Sequence, residues 1–146
     1  MTEILIKRLS KEVALPKYET EGSSGLDLAA HIDNQIEILP GKSAIIPTGL
    51  AVAIPESFEI QIRPRSGLAA KNQISILNTP GTIDADYRGE LKVILINLSD
   101  KTFIVEKGLR IAQMVLCPVI KATLKEVKVL ESTERGSGGF GSTGIK

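Results

Sequence analysis

The sequence predicts an all-β chain, a sandwich, jelly roll or barrel, on three observations. Apolar and polar residues alternate at period two within short runs rich in β-branched residues. Turn signals separate those runs: Pro40-Gly41, Pro47 to Gly49, Pro55, Pro80-Gly81, Ser99-Asp100 and Lys107-Gly108. No segment carries the apolar spacing of a long amphipathic helix. Some ten short strands joined by tight turns suit two packed sheets or a closed barrel.

In chain order the strands are EILIKRL (residues 3–9), QIEIL (35–39), SAIIP (43–47), LAVAI (50–54), FEIQIR (58–63), QISIL (73–77), ELKVILINL (90–98), TFIVEK (102–107), RIAQMVLCPV (110–119) and ATLKEVKVL (122–130). SAIIP and LAVAI read as two strands divided by a turn at Pro47 to Gly49. SGLAAKN, after Pro64-Arg65, has room for one short helical turn. ILNTPGTIDADYRGEL (76–91) reads as strand, turn and strand, a hairpin tightened by Pro80-Gly81. If its second limb is a regular strand, Asp84 and Asp86 point to one face and Ile83, Ala85 and Tyr87 to the other.

At 146 residues the chain is one domain by length, enough to bury about 68–70% of the surface its unfolded form exposes. Its 18 basic and 17 acidic side chains nearly cancel. Nothing in that balance favours nucleic acid or an anionic membrane. The one cysteine, Cys117, precludes an intramolecular disulfide and reads as a small buried hydrophobe within IAQMVLCPV. The one histidine, His31, lacks the partners of a triad or zinc site and reads as structural or surface-exposed. The charged N-terminus MTEILIKRLSKE lacks a signal-peptide core, and no apolar run approaches the ~18 residues of a membrane span. A soluble, cytoplasmic protein is the expectation.

Five segments break the plain strand pattern. In SSGLDLAA, Asp27 lies between leucines, so it is either on an outward strand face or a partnered buried charge. RPRSGLAAK sets Arg65, Ser66 and Gly67 behind a proline. A planar guanidinium beside convergent amides suits a phosphate, although many turns look similar. Gln113, inside RIAQMVLCPV, needs hydrogen-bond partners if buried. NTPGTIDADYRGE carries two carboxylates beside one of only two tyrosines. Last, five of the nine residues from Gly136 to Gly144 are glycine. Such a stretch cannot bury enough apolar surface to order itself. With Arg135, the Ser142 and Thr143 hydroxyls and Phe140 it has the parts of a phosphate and base clamp. It is not a Walker loop, because the lysine is missing and no helix follows.

In order, SSGLDLAA, RPRSGLAAK, NTPGTIDADYRGE, GLRIAQMVLCPV and RGSGGFGSTG resemble the five motifs of the all-β deoxyuridine triphosphatase family (dUTP nucleotidohydrolases). The resemblance spans most of the chain and implies a jelly-roll or distorted-barrel domain over residues 1–134. A flexible glycine-rich arm, 135–146, would close over the active site. It further implies a homotrimer with shared active sites. Each would take the hairpin from one subunit, the first, second and fourth motifs from a neighbour, and the arm from the third.

The implied reaction is Mg²⁺-dependent hydrolysis of dUTP to dUMP and pyrophosphate. This keeps uracil out of DNA and supplies dUMP for thymidylate synthesis. Asp84 would activate the water that attacks the α-phosphorus. Asp27 would support hydrated Mg²⁺ through water. Arg65, Ser66, Gly67 and Gln113 would orient the phosphates, with Arg135, Ser142 and Thr143 closing over the γ-end. Asn78 and the hairpin backbone would read uracil, Gly81 would exclude the thymine methyl, and Phe140 would stack on the base. Tyr87 would pack on the deoxyribose, where a ribose hydroxyl would clash. Thr82, Ile83 and Gly141 complete the implied nucleotide contacts. Asp86 has two readings, a structural partner of the hairpin or a direct role. Two rivals remain at this point: a deoxycytidine triphosphate deaminase of the same fold, and a non-catalytic trimeric scaffold or binder.

A glycine-rich arm that orders on binding should resist proteolysis when occupied. Limited proteolysis of the last twelve residues is expected to slow when a non-hydrolysable dUTP analogue and Mg²⁺ are added. Equal cleavage with and without them would contradict the closing arm.

Overall fold

In a computed structural model that describes residues 1–144, ten strands and one short helix follow in the order β1 Leu5–Arg8, β2 Leu26–Ala29, β3 Ile36–Ile38, β4 Ser43–Ala53, β5 Phe58–Arg63, α1 Ser66–Asn72, β6 Ile74–Ile76, β7 Gly81–Ile83, β8 Glu90–Asn97, β9 Phe103–Val105 and β10 Arg110–Pro118. Two four-stranded sheets, β1-β4-β8-β6 and β2-β10-β5-β7, and the small pair β3-β9 form the expected all-β jelly roll. Every pairing is antiparallel.

Period-two patterning explains the layers. Along β8, Leu91, Val93, Leu95 and Asn97 are buried while the residues between them are more exposed. Leu28 of β2, Ile60 and Ile62 of β5 and Ile111 and Met114 of β10 join them in one aliphatic core. Each such side chain contributes about 1.5–3 kcal/mol by burial. Two polar side chains are buried with them, and both are satisfied. The Thr48 hydroxyl donates to the Leu91 carbonyl at 2.6 Å, and the Asn97 amide donates to the carbonyls of Ile38 and Lys101.

The structure corrects three sequence expectations. SAIIP and LAVAI are one strand, β4, and the expected turn is a bulge within it. The register with β8 runs from Pro47↔Lys92 to Ala51↔Glu90, so β4 carries two extra residues there. Gly49 takes a left-handed φ of 70° at the bulge, where Pro47 is also tolerated. Second, ATLKEVKVL forms no strand. It has no partner strand within one chain, and Leu124, Val129 and Leu130 stand exposed. Third, the limbs of the hairpin do not pair with each other: β6 pairs with β8, and β7 with β5. The Leu77–Pro80 turn therefore crosses between sheets, and each limb is an outer strand of its own sheet.

SGLAAKN forms the seven-residue helix α1, which ends in a left-handed Gln73. Cys117 is half-buried rather than buried, with Arg63 Nη2 3.5 Å from its sulfur. The His31 ring packs against Gly49, consistent with a structural role. Among the described residues no helix is long and apolar enough to cross a membrane.

Candidate functional site

The predicted residues gather into two groups with a separate tail. The first group is built on β2, β10 and the turn after β5. Asp27 pairs across the ladder with Gln113, which pairs on its other side with Arg63. Asp27 is a partnered charge: Oδ1 accepts from Arg65 Nε at 3.2 Å and Oδ2 from Arg110 Nη1 at 3.0 Å. Arg65 Nη1 also donates to the Arg110 carbonyl at 3.3 Å. Two of its five N–H groups are thus committed to holding the guanidinium, and the rest remain for a ligand. Arg110 in turn lies 3.6 Å from Glu19.

Gln113 has a structural duty in this group. Its Nε2 donates to the Pro64 carbonyl at 3.0 Å and fixes the turn that presents Arg65. The amide fits because residue 25 is glycine: a Cβ there would stand 3.3 Å from Gln113 Cδ and closer still to Oε1. Ser66 and Gly67 open α1, whose first-turn N–H groups have no partner within the helix.

The second group surrounds β7. A narrow cleft is lined by Asn78, Gly81, Thr82 and Ile83 together with Ile62, Ile76 and Lys92 to Ile94. Beside it a cavity of about 170 Å³ is lined by Thr82, Ile83, Asp84, Tyr87, Glu90 and Lys92. Thr82, Ile83 and Lys92 line both, so the two hollows are neighbours. Because β7 is the last strand of its sheet, its outer N–H and C=O groups are free to pair with a ligand.

Asp86 does not share a strand face with Asp84, as a regular strand would require. β7 ends at Ile83, and Tyr87 N–H donates to the Asp84 carbonyl at 3.1 Å, closing a turn. Asp86 sits in that turn and, with Asp84, Glu56, Arg88 and Lys121, lines a second groove; Asp84 alone of the two also faces the cavity with Tyr87.

The arm stands apart from both groups. Arg135 Nε donates to the Gly138 carbonyl at 2.8 Å, and tight turns follow at Gly138, Ser142 and Gly144. Phe140 is fully exposed, and Gly141, Ser142 and Thr143 line none of the cavities described. Residues 145 and 146 of the expected arm lie outside the described residues.

The two groups lie far apart within one chain. Ile83 pairs with Ile60, so Asp84 comes level with Glu59. Asp27 and Gln113 are level with Arg63, four residues along β5 and, for Asp27, three strands across. At ~3.4 Å per residue and ~4.8 Å per strand, the Asp27 and Asp84 backbones are ~20 Å apart.

Among the described residues no three His, Cys, Asp or Glu side chains group to hold a metal. Both Asp27 oxygens face guanidinium groups, yet each keeps a second lone-pair direction. A hard cation beside this group would be held only through water, with its charge balanced by a ligand's phosphates and not by a cage of carboxylates. Sequence reasoning missed two residues. Arg110 was hidden as the first residue of a strand, and Lys92 as an ordinary outward lysine of β8.

The sequence profile of the family described as dUTPase matches residues 11–144. The deoxyuridine 5'-triphosphate nucleotidohydrolase of Hydrogenobaculum sp. (strain Y04AAS1) is 56% identical over 144 residues, covering 99% of each chain. That of Brucella suis biovar 1 (strain 1330) is 58% identical over 137 residues, 92% of this chain and 87% of its own. Among solved structures, a mutant dUTPase of Staphylococcus bacteriophage 80alpha with dUpNHpp superposes with a TM-score of 0.85 at 29% identity. The match covers 99% of this chain and 100% of the phage chain.

The Gly25–Gln113 contact yields a direct test. Gly25→Ala is expected to push the Gln113 amide off the Pro64 carbonyl and to cost about 1–3 kcal/mol in urea unfolding. An unchanged unfolding midpoint would show that the amide does not depend on this contact.

Proposed function

The chain belongs to the dUTPase family, and from that premise we propose that it hydrolyses dUTP to dUMP and pyrophosphate. The observation that carries the reading is the placement of Asp84 and Tyr87 on one cavity, beside the free edge of β7. The edge of an uncompleted sheet offers donors and acceptors in fixed order. Uracil would match that order beside Asn78 and Gly81, whereas cytosine would leave polar groups unpaired. The curated relatives are named for the triphosphatase activity, which favours it over the deaminase and scaffold rivals.

In the proposed mechanism Asp84 accepts a proton from water as its oxygen attacks the α-phosphorus, and the bond to the pyrophosphate oxygen breaks. Tyr87 packs on the deoxyribose. Arg65 and the amides of Ser66 and Gly67 orient the phosphates, and Gln113 holds the Pro64 turn behind them. Mg²⁺, when bound, supplies charge neutralisation on the polyphosphate, with Asp27 holding its water shell. Arg135, Ser142 and Thr143 close over the γ-phosphate and Phe140 over the base, as parts of an arm running from 135 to 146 beyond a domain of residues 1–134. Supply of dUMP and exclusion of uracil from DNA would follow from this reaction.

Positioning accounts for the catalysis only if both groups reach one nucleotide. A base must stand within about 3 Å of its water, and ~20 Å of backbone separates the two groups in one chain. The separation supports an oligomer whose sites draw the Asp84 loop and the Arg65 cluster from different subunits, and the family resemblance implies that it is a homotrimer with the arm from the third.

Pyrophosphate release with Mg²⁺ should be measured from dUTP, dCTP, dTTP and UTP, for the natural protein and for Asp84→Asn. Release from dUTP alone is expected, and Asp84→Asn should lower it by about a hundredfold or more while nucleotide binding survives. Ammonia release from dCTP would sink the hydrolase reading. Full activity in Asp84→Asn would remove Asp84 from its role.

A further inference from the structure

Gly89 has a need for glycine that its backbone does not explain. The left-handed glycines of the chain include Gly41, Gly49 and Gly108, but Gly89 is not among them. What fills the space at Gly89 is the ring of Tyr87. A Cβ on residue 89 would stand 2.6 Å from Tyr87 Cζ and 3.0 Å from Cε2, and nearer still to the hydroxyl. Real Cβ atoms do not approach a ring that closely, so any side chain here displaces the tyrosine.

The rest of the seat is hydrogen-bonded. The Tyr87 hydroxyl donates to the Glu90 carbonyl at 3.0 Å. Glu90 is fixed in turn from the bulge of β4: its Oε1 accepts from Gly49 N–H at 3.0 Å, while the Thr48 hydroxyl holds the next carbonyl, that of Leu91. The ring is thus pinned at its tip and rests on a bare Cα, while it also walls the cavity that holds Asp84.

We propose that Gly89 is a positioning residue that sets the place of the Tyr87 ring and through it the preference for a 2′-deoxynucleotide. The inference rests on the dUTP reading and deepens it. A ring that discriminates one hydroxyl on a sugar must be held to a fraction of an ångström. The seat made by Gly89 and the Glu90 carbonyl does so without any contact of its own to the nucleotide. An added Cβ at residue 89 lifts the ring off its seat, and a ring no longer held against the sugar admits UTP.

The test compares kcat/KM for dUTP and UTP in the natural protein and in Gly89→Ala, with urea unfolding of both. The expected result is a dUTP-over-UTP ratio reduced about tenfold or more in Gly89→Ala, with little change in unfolding midpoint. An unchanged ratio in a folded variant, with the natural protein active on dUTP, overturns the seat alone. A natural protein inactive on dUTP removes the reading beneath it. Should Gly89→Ala fail to fold, proton NMR of the natural protein and Tyr87→Leu decides. The Gly89 Hα resonances are expected to be displaced from the ordinary glycine range by the ring and to return to it in Tyr87→Leu. Identical Gly89 resonances in the two proteins would overturn the proposal.

Discussion

β5 is the constraint on which the rest of the molecule depends. It pairs along one edge with β10 and along the other with β7. Those ladders fix the cleft beside β7 and the Asp27–Gln113 row on one rigid frame. They also fix the distance between them. No side-chain rotation closes a backbone separation of ~20 Å, and the aliphatic core behind β5 resists any bending of the sheet. The proposed chemistry therefore fits a site completed by another copy of the chain. The exposed apolar residues of the segment after β10 and the unattached glycine-rich arm fit a subunit whose last part belongs to a neighbour.

Within that frame, local positions are set by polar contacts at strand irregularities. The bulge in β4 turns Thr48 and Gly49 toward Glu90 and Leu91, which fixes the far end of the loop carrying Asp84 and Tyr87. Across the sheet, Asp27 holds two arginines by opposite oxygens. The group is partly exposed, so solvent screens it and its contribution to stability is small. Its value is geometric: Arg65 arrives with its direction set and donors to spare.

Local pattern made the strands legible. Alternation identified β8 because it buries one face, and a half-buried strand has to alternate; β10, buried on adjacent residues, was legible only as an apolar run. The same logic failed where pairing is decided at long range. Pro47 to Gly49 carries every sign of a turn, but the ladder to β8 continues past it as a bulge. The residues of β6 and β7 read as partners because a tight turn joins them, whereas each finds a better-buried edge on a different sheet. ATLKEVKVL alternates well and yet has no strand to join. Among the site residues, Asp27 announced itself as a charge between leucines, and the structure supplied its partners. Arg110 and Lys92 could not be singled out from spacing, since a charged residue on an outward strand position is the ordinary case.

The central claim, that one site is built from different copies of the chain, is tested most directly by mixing two inactive variants. Asp84→Asn lacks the base and Arg65→Ala lacks the phosphate-orienting guanidinium. Each alone should be nearly inactive on dUTP. Unfolded together in equal amounts and refolded, they should recover about a quarter of the native activity, because a quarter of the sites in a randomly mixed symmetric oligomer pair an intact Asp84 loop with an intact Arg65 cluster from the neighbour. No recovery from a well-folded mixture would contradict the account and place both groups of a working site in a single chain.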